Sequence, residues 1–138
     1  MNILKSRVIH RYWLIVALGL FLNSCDFSDK KGSGSDNMLQ AAPYAGLTDS
    51  IGRFPNDPRL YAARGLLLSQ NDHHELATPD YQKAWELNPV EPMAQELVNN
   101  LMLVNKPREA IALLRECIAR WPQSIDLHRR LSQIYEQI

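Results

Sequence analysis

Residues 61 to 89 read YAARGLLLSQNDHHELATPDYQKAWELNP. With its gaps the stretch is Tyr61-x-x-Arg64-Gly65-x-x-Leu68, then Ala77-x-x-x-Tyr81-x-x-Ala84, then Pro89. Small residues stand where two helices must approach closely, bulky ones fill the spaces between, and proline follows where the second helix ends. Such a pair of antiparallel helices cannot hide its apolar face alone and has to stack on copies of itself.

A second copy follows 33 residues on, measured from Pro89 to Pro122. It reads Ala94-x-x-Leu97-Val98-x-x-Leu101, then Ala110-x-x-x-Leu114-x-x-Cys117, then Pro122. A third begins as His128-x-x-Leu131-Ser132-x-x-Tyr135. Together the copies resemble the tetratricopeptide repeat (TPR), a unit of about 34 residues with spaced aromatic, Leu-Gly, Tyr, Ala, Phe and Pro positions. The resemblance covers residues 43 to 138 and departs from the pattern at Arg64, in a Leu slot, and at Val98 and Ser132, in place of Gly. Cys117 fills a slot for a small residue. It implies an all-α fold, in which antiparallel helix hairpins stack as a short right-handed solenoid of about six helices.

Length and composition agree with one small domain plus appendages: 138 residues, 46% of them apolar. The formal charge is zero, with 15 bases and 15 acids. All the acids lie after residue 25, whereas Lys5, Arg7 and Arg11 precede it. Without that start the chain is slightly acidic, which gives no electrostatic case for binding nucleic acid.

Residues 1 to 24 have the layout of an export signal: a basic start, an apolar run from Tyr12 to Leu22, then Asn23-Ser24-Cys25. The run is shorter than the roughly 20 apolar residues that span a bilayer. Leu22-Asn23-Ser24-Cys25 resembles the cleavage and lipidation box of bacterial lipoproteins, with Asn23 an uncommon choice in its slot. That resemblance implies acylation of Cys25 and a membrane-anchored protein, exported to the periplasmic side or the outer membrane. An ordinary cleaved signal or an uncleaved N-terminal anchor are the alternatives. Residues 25 to 40 are polar and rich in glycine and serine, and are expected to be a flexible tether.

The module proper, residues 41 to 138, begins with a helix from Pro43 to Arg53, in which Tyr44, Leu47, Ile51 and Phe54 make one apolar stripe. Asp57 and Pro58 are suited to cap and open the next helix, Arg59 to Gln70. Thr78-Pro79-Asp80 has the form of another helix start, which would leave Ala77 just outside. Helices are then expected from Glu91 to Val104, from Pro107 to Arg120, and from Ile125 to Glu136 with Ser124 as cap. On the last helix, Leu131, Ile134, Tyr135 and Ile138 form an apolar stripe with only one neighbour. The stripe is either used against the preceding hairpin or free to form a homodimer.

Residues for catalysis are sparse. The densest group of metal-ligand types is His73-His74-Glu75, but adjacent histidines on a turn diverge and no third partner stands at metal-site spacing. Cys117 with His128 eleven residues on is a weak nucleophile and base pair, because the slot of Cys117 belongs to the core. No phosphate loop, serine elbow or carboxylate pair occurs, so no catalytic residue, metal or cofactor is assigned.

Binding is what the resemblance implies. In TPR stacks the first helices of successive repeats line a concave groove, and the matching positions here are Arg59, Ala62, Leu66, Ser69, Gln95, Asn99, Met102, Arg129 and Gln133. The mixture of apolar and polar groups suits a peptide or helix from a partner protein. Ala62 and Leu66 stand where chaperone-binding relatives need Lys and Asn, which disfavours recognition of a chaperone C-terminus. The expected function is a membrane-anchored, non-catalytic adaptor or scaffold for protein partners in the cell envelope. The alternative is a structural lipoprotein that self-associates through its last helix.

Overall fold

The computed structural model describes residues 33–138. The export and lipidation expectations, including Cys25, lie outside these residues. Among the described residues seven helices follow one another: α1 Ser33–Leu39, α2 Ala45–Arg53, α3 Pro58–Gln70, α4 His74–Leu87, α5 Glu91–Leu103, α6 Pro107–Arg120 and α7 Ile125–Gln137. No strand occurs among the described residues. Each helix from α2 onward packs on the next in the chain, which is how stacked hairpins share one interior.

The repeat period is visible in what is buried. Leu68, Leu101 and Ile134 stand at intervals of 33 residues and are all fully buried. Each contributes roughly 1.5–3 kcal/mol by leaving water. Ala77 and Ala110 are equivalent in the same register, as are Tyr81 with Leu114 and Ala84 with Cys117, and all six are buried. Gly65 is the close-approach position of the first copy. A Cβ there would lie 3.3 Å from the Tyr81 ring and 3.4 Å from Asp80 Cβ. In the second copy Val98 and Leu114, both buried, stand in the slots of Gly65 and Tyr81, so a larger residue on one helix goes with a smaller one on the other.

Helix ends follow local chemistry. Asp57 accepts a bond from the Arg59 backbone N–H at 3.0 Å, with Pro58 in the first turn. Ser124 accepts more loosely from Leu127 N–H, at 3.4 Å. Within each complete hairpin the two helices are joined by the same left-handed turn, at Asp72 (φ 60°) and Asn105 (φ 56°). The Asp72 and His73 N–H groups bond to the Ser69 and Leu68 carbonyls, and those of Asn105 and Lys106 to Met102 and Leu101. This paired pattern satisfies the last carbonyls of a helix.

Four expectations change. First, part of the expected tether is ordered: Ser33–Leu39 forms a two-turn helix whose Met38 and Leu39 pack on the core. Thr48 Oγ1 donates to the Leu39 carbonyl at 2.8 Å and fixes its end.

Second, α4 starts at His74 rather than at Thr78, so Pro79 is inside it and Ala77 is buried. The missing Pro79 N–H leaves the carbonyl of Glu75 without its intrahelical donor, and Glu75 is exposed, where water can serve. The Ala77, Tyr81 and Ala84 face drives the longer helix. Thr78 is no cap: its Oγ1 donates back to the His74 carbonyl at 3.0 Å.

Third, the third copy is one residue out of the expected register. Leu127 and Ile134 are buried, whereas His128 and Tyr135 are exposed, so the copy reads Leu127-x-x-Arg130-Leu131-x-x-Ile134. The buried positions keep the 33-residue interval of the first two copies, whereas the expected reading sets the third copy 34 residues after the second.

Fourth, the terminal stripe is split: Ile134 is buried and Leu131 half-buried, whereas Tyr135 and Ile138 are exposed. Leu127 also turns inward, and Arg115 Nη2 donates to the Tyr135 hydroxyl at 2.8 Å. Ile125 and Ile138 stay exposed at opposite ends of α7.

Candidate functional site

With Ala94, Leu97, Val98 and Leu101 committed to the core, α5 keeps Gln95, Asn99 and Met102 on one flank, one turn apart. On α7, burial of Leu127 and Ile134 leaves Asp126, Arg129, Arg130 and Gln133 on the side facing α5. Gln95, Asn99, Asp126, Arg129, Arg130 and Gln133 line an open cleft of about 230 Å³. Four of the groove residues expected from the sequence thus come together: Gln95, Asn99, Arg129 and Gln133.

Hydrogen bonds set how these groups are presented. Arg130 Nη2 donates to Asn99 Oδ1 at 2.7 Å, and Nη1 reaches Gln133 Oε1 at 3.5 Å. Arg129 Nη1 is 2.7 Å from Asp126 Oδ1, an exposed pair of small energetic weight. Gln95 Nε2 donates to Glu91 Oε1 at 3.3 Å, which also accepts from Ser124 Oγ at 2.6 Å. No carboxylate pairs with Arg130 among the described residues.

The remaining groove residues do not line this cleft. Arg59 pairs with Asp57 at 2.7 Å and borders a separate, shallower opening formed by residues 53–59. Met102 is half-buried against the core, Ala62 is half-buried and Leu66 is exposed. Ser69 Oγ lies 3.0 Å from His74 Nδ1. Asp72 is 3.8 Å from the other nitrogen of His74, with its side chain 97% exposed. That distance is too long for a hydrogen bond, and an orienting carboxylate needs shelter from water, so the trio is not set up as a catalytic triad.

His73, His74 and Glu75 do diverge. The His73 ring meets Tyr44 edge-on at 6.2 Å, His74 turns to Ser69, and Glu75 points to solvent. Cys117 is fully buried, and burial pushes its thiol pKa up to about 11. His128 is not its base, since His128 Nε2 contacts the Pro122 carbonyl at 3.1 Å. A thiol held protonated inside a core is a poor nucleophile.

Two polar features escaped the sequence reading. Arg64 and Asp80 form a two-pronged ion pair, Nε to Oδ2 at 2.7 Å and Nη2 to Oδ1 at 2.8 Å, and both side chains are largely buried. Arg64 Nη1 also bonds Thr48 Oγ1 at 3.0 Å, so α1, α2, α3 and α4 are joined through one chain of contacts. Asn100, 1% exposed, donates to the His74 carbonyl and to Thr78 Oγ1 and ties α5 to α4. The signal for the first pair was an arginine in a leucine slot.

Comparison with known proteins supplies the class. No protein-family model matches the chain, and no curated protein matches it. Among solved structures it is similar to a thermophilic TPR protein of Thermus thermophilus, at 19% identity over 78% of this chain and 55% of that one, with a TM-score of 0.59. It is also similar to a mutant of MamA, at 25% identity over 75% of this chain and 63% of that one, with a TM-score of 0.54. The chain therefore spans less than two thirds of either structure. With the 33-residue burial pattern, this likeness establishes a TPR-like helical-repeat fold.

Proposed function

We propose that this chain is a non-catalytic adaptor or scaffold that holds a protein partner in the α5–α7 cleft. One observation carries the proposal: side chains from separate copies converge there on an open trough whose polar ends are not consumed by the core. Anchoring belongs to the same proposal, with Cys25 acylated and the module presented from a membrane of the cell envelope. Self-association through α7 has less support, because Ile134 of its apolar stripe is buried and Leu131 half-buried, which leaves Tyr135 and Ile138 to form a contact.

Site-specific photocrosslinking tests the docking face. A photoreactive residue replacing Gln133 in the full chain is expected to capture a second protein in cells, and one replacing Glu116, exposed on α6, is not. Equal capture from both positions, or none from Gln133, would refute the docking face. Anchoring is read separately: the Cys25→Ala chain should leave the detergent phase, and its retention there would show that acylation is not the anchor.

A further inference from the structure

We infer that the α5–α7 cleft recognises acidic side chains within a partner segment, which deepens the proposed adaptor function and rests on it. Arg64 and Arg130 occupy the same slot two repeats apart, and both are partly buried. The fold meets the first guanidinium with the carboxylate of Asp80 on two bonds. Among the described residues Arg130 meets only the neutral oxygens of Asn99 and Gln133. Its Nε is also buried without an acceptor among the described residues. A cation partly withdrawn from water and left without a counter-charge favours any anion that reaches it.

The amides make the same choice of ligand. With Oδ1 of Asn99 and Oε1 of Gln133 turned toward Arg130, the ends left to present are their NH2 groups, which donate. Arg129 adds a second guanidinium, held only by the exposed Asp126. Gln95 is the exception, since its NH2 is directed at Glu91. Two guanidiniums and two amide donors against the single carboxylate of Asp126 make a receptor for groups that only accept, and an ionised Asp or Glu side chain is one. Met102, half-buried one turn beyond Asn99 on the same flank of α5, offers apolar contact. A free inorganic anion would not use that contact, whereas a peptide bearing both acidic and apolar residues would.

Fluorescence anisotropy on the detergent-solubilised full chain tests this with dye-labelled peptides blocked at both ends. One alternates Glu and Leu; its counterpart alternates Gln and Leu. The Glu peptide should bind about ten-fold more tightly or better, the scale of one charge-assisted contact, and added salt should erode the difference. Asn99→Asp keeps an oxygen for Arg130 but replaces the presented donor with a carboxylate, and should abolish the preference. Arg130→Leu puts in that slot the residue the second copy has at Leu97, and should abolish it with the fold intact. Equal binding of the two peptides would overturn the acidic specificity while leaving photocrosslinking at Gln133 to decide the adaptor function. No binding of the Glu peptide, or a preference unchanged in both variants, would overturn the inference. So would a Gln–Leu peptide with a free C-terminus binding as well as the blocked Glu peptide, since the ligand would then be a chain end.

Discussion

Arg64 stands where the second copy has Leu97, and Asp80 where it has Leu113. The protein has one ion pair in the position of one apolar pair, so the repeat itself supplies the test. Arg64→Leu or Asp80→Leu alone should lower the unfolding free energy by about 3–5 kcal/mol, because each strands a buried charge. The double variant should recover most of that loss in urea titrations. A similar exchange holds at the close-approach slot. Gly65→Val should destabilise by about 1–3 kcal/mol through overpacking against Tyr81, and Tyr81→Leu should relieve it, reproducing the Val98 and Leu114 pair. The sequence exposed the odd residues in these slots, but not their partners. An arginine in a leucine slot signals a buried charge, and only packing shows which acid answers it.

Burial also makes the core sensitive to base. The Cys117 thiol is pushed up to about 11 and the Tyr81 hydroxyl to about 12, burial being the largest cause for each. In the unfolded chain these groups lose their protons near pH 8.5 and pH 10. Above those values the unfolded state binds fewer protons than the fold, so stability must fall as pH rises, first through Cys117 and then through Tyr81. The Cys117 part is on the order of 2 kcal/mol by about pH 11. Cys117→Ala, which copies Ala84 in the equivalent slot, should remove the decline that begins near pH 8.5 and keep the later one. Urea midpoints measured across this range check both.

At the scale of elements, the hairpin turns were only half legible. The expected helices leave gaps at Asn71 to Ala77 and at Asn105-Lys106, but the left-handed residue in each turn, Asp72 and Asn105, is non-glycine, so the usual marker is missing. Asn105→Gly should raise stability by up to about 1 kcal/mol, seen as a higher urea midpoint, by removing the cost of a side chain at positive φ. Pro79 misled more seriously. Thr-Pro-Asp is a good helix start by local chemistry, yet a longer apolar face kept the helix running through it from His74. The helix α1 was hidden because its glycine- and serine-rich composition belongs to linkers; its order comes from Met38, Leu39 and the Thr48 bond, which are tertiary contacts.

At the scale of the whole molecule, the architecture is legible in the repeat period, and a one-residue ambiguity in that period decides the last helix. Arg129 and Gln133 were named for the groove and do line the cleft, but Asp126 and Arg130 were missed with the register. Rotation of α7 by one residue, about 100°, separates a buried Leu127 and Ile134 with a donor-lined cleft from a different helix face altogether. The most direct measurement is therefore the unfolding free energy of Ile134→Ala beside that of Tyr135→Ala. Stacking in the 33-residue register predicts a loss of about 2–5 kcal/mol for Ile134→Ala and under about 1 kcal/mol for Tyr135→Ala. A large loss for Tyr135→Ala with little for Ile134→Ala would contradict the register, and with it the cleft between α5 and α7.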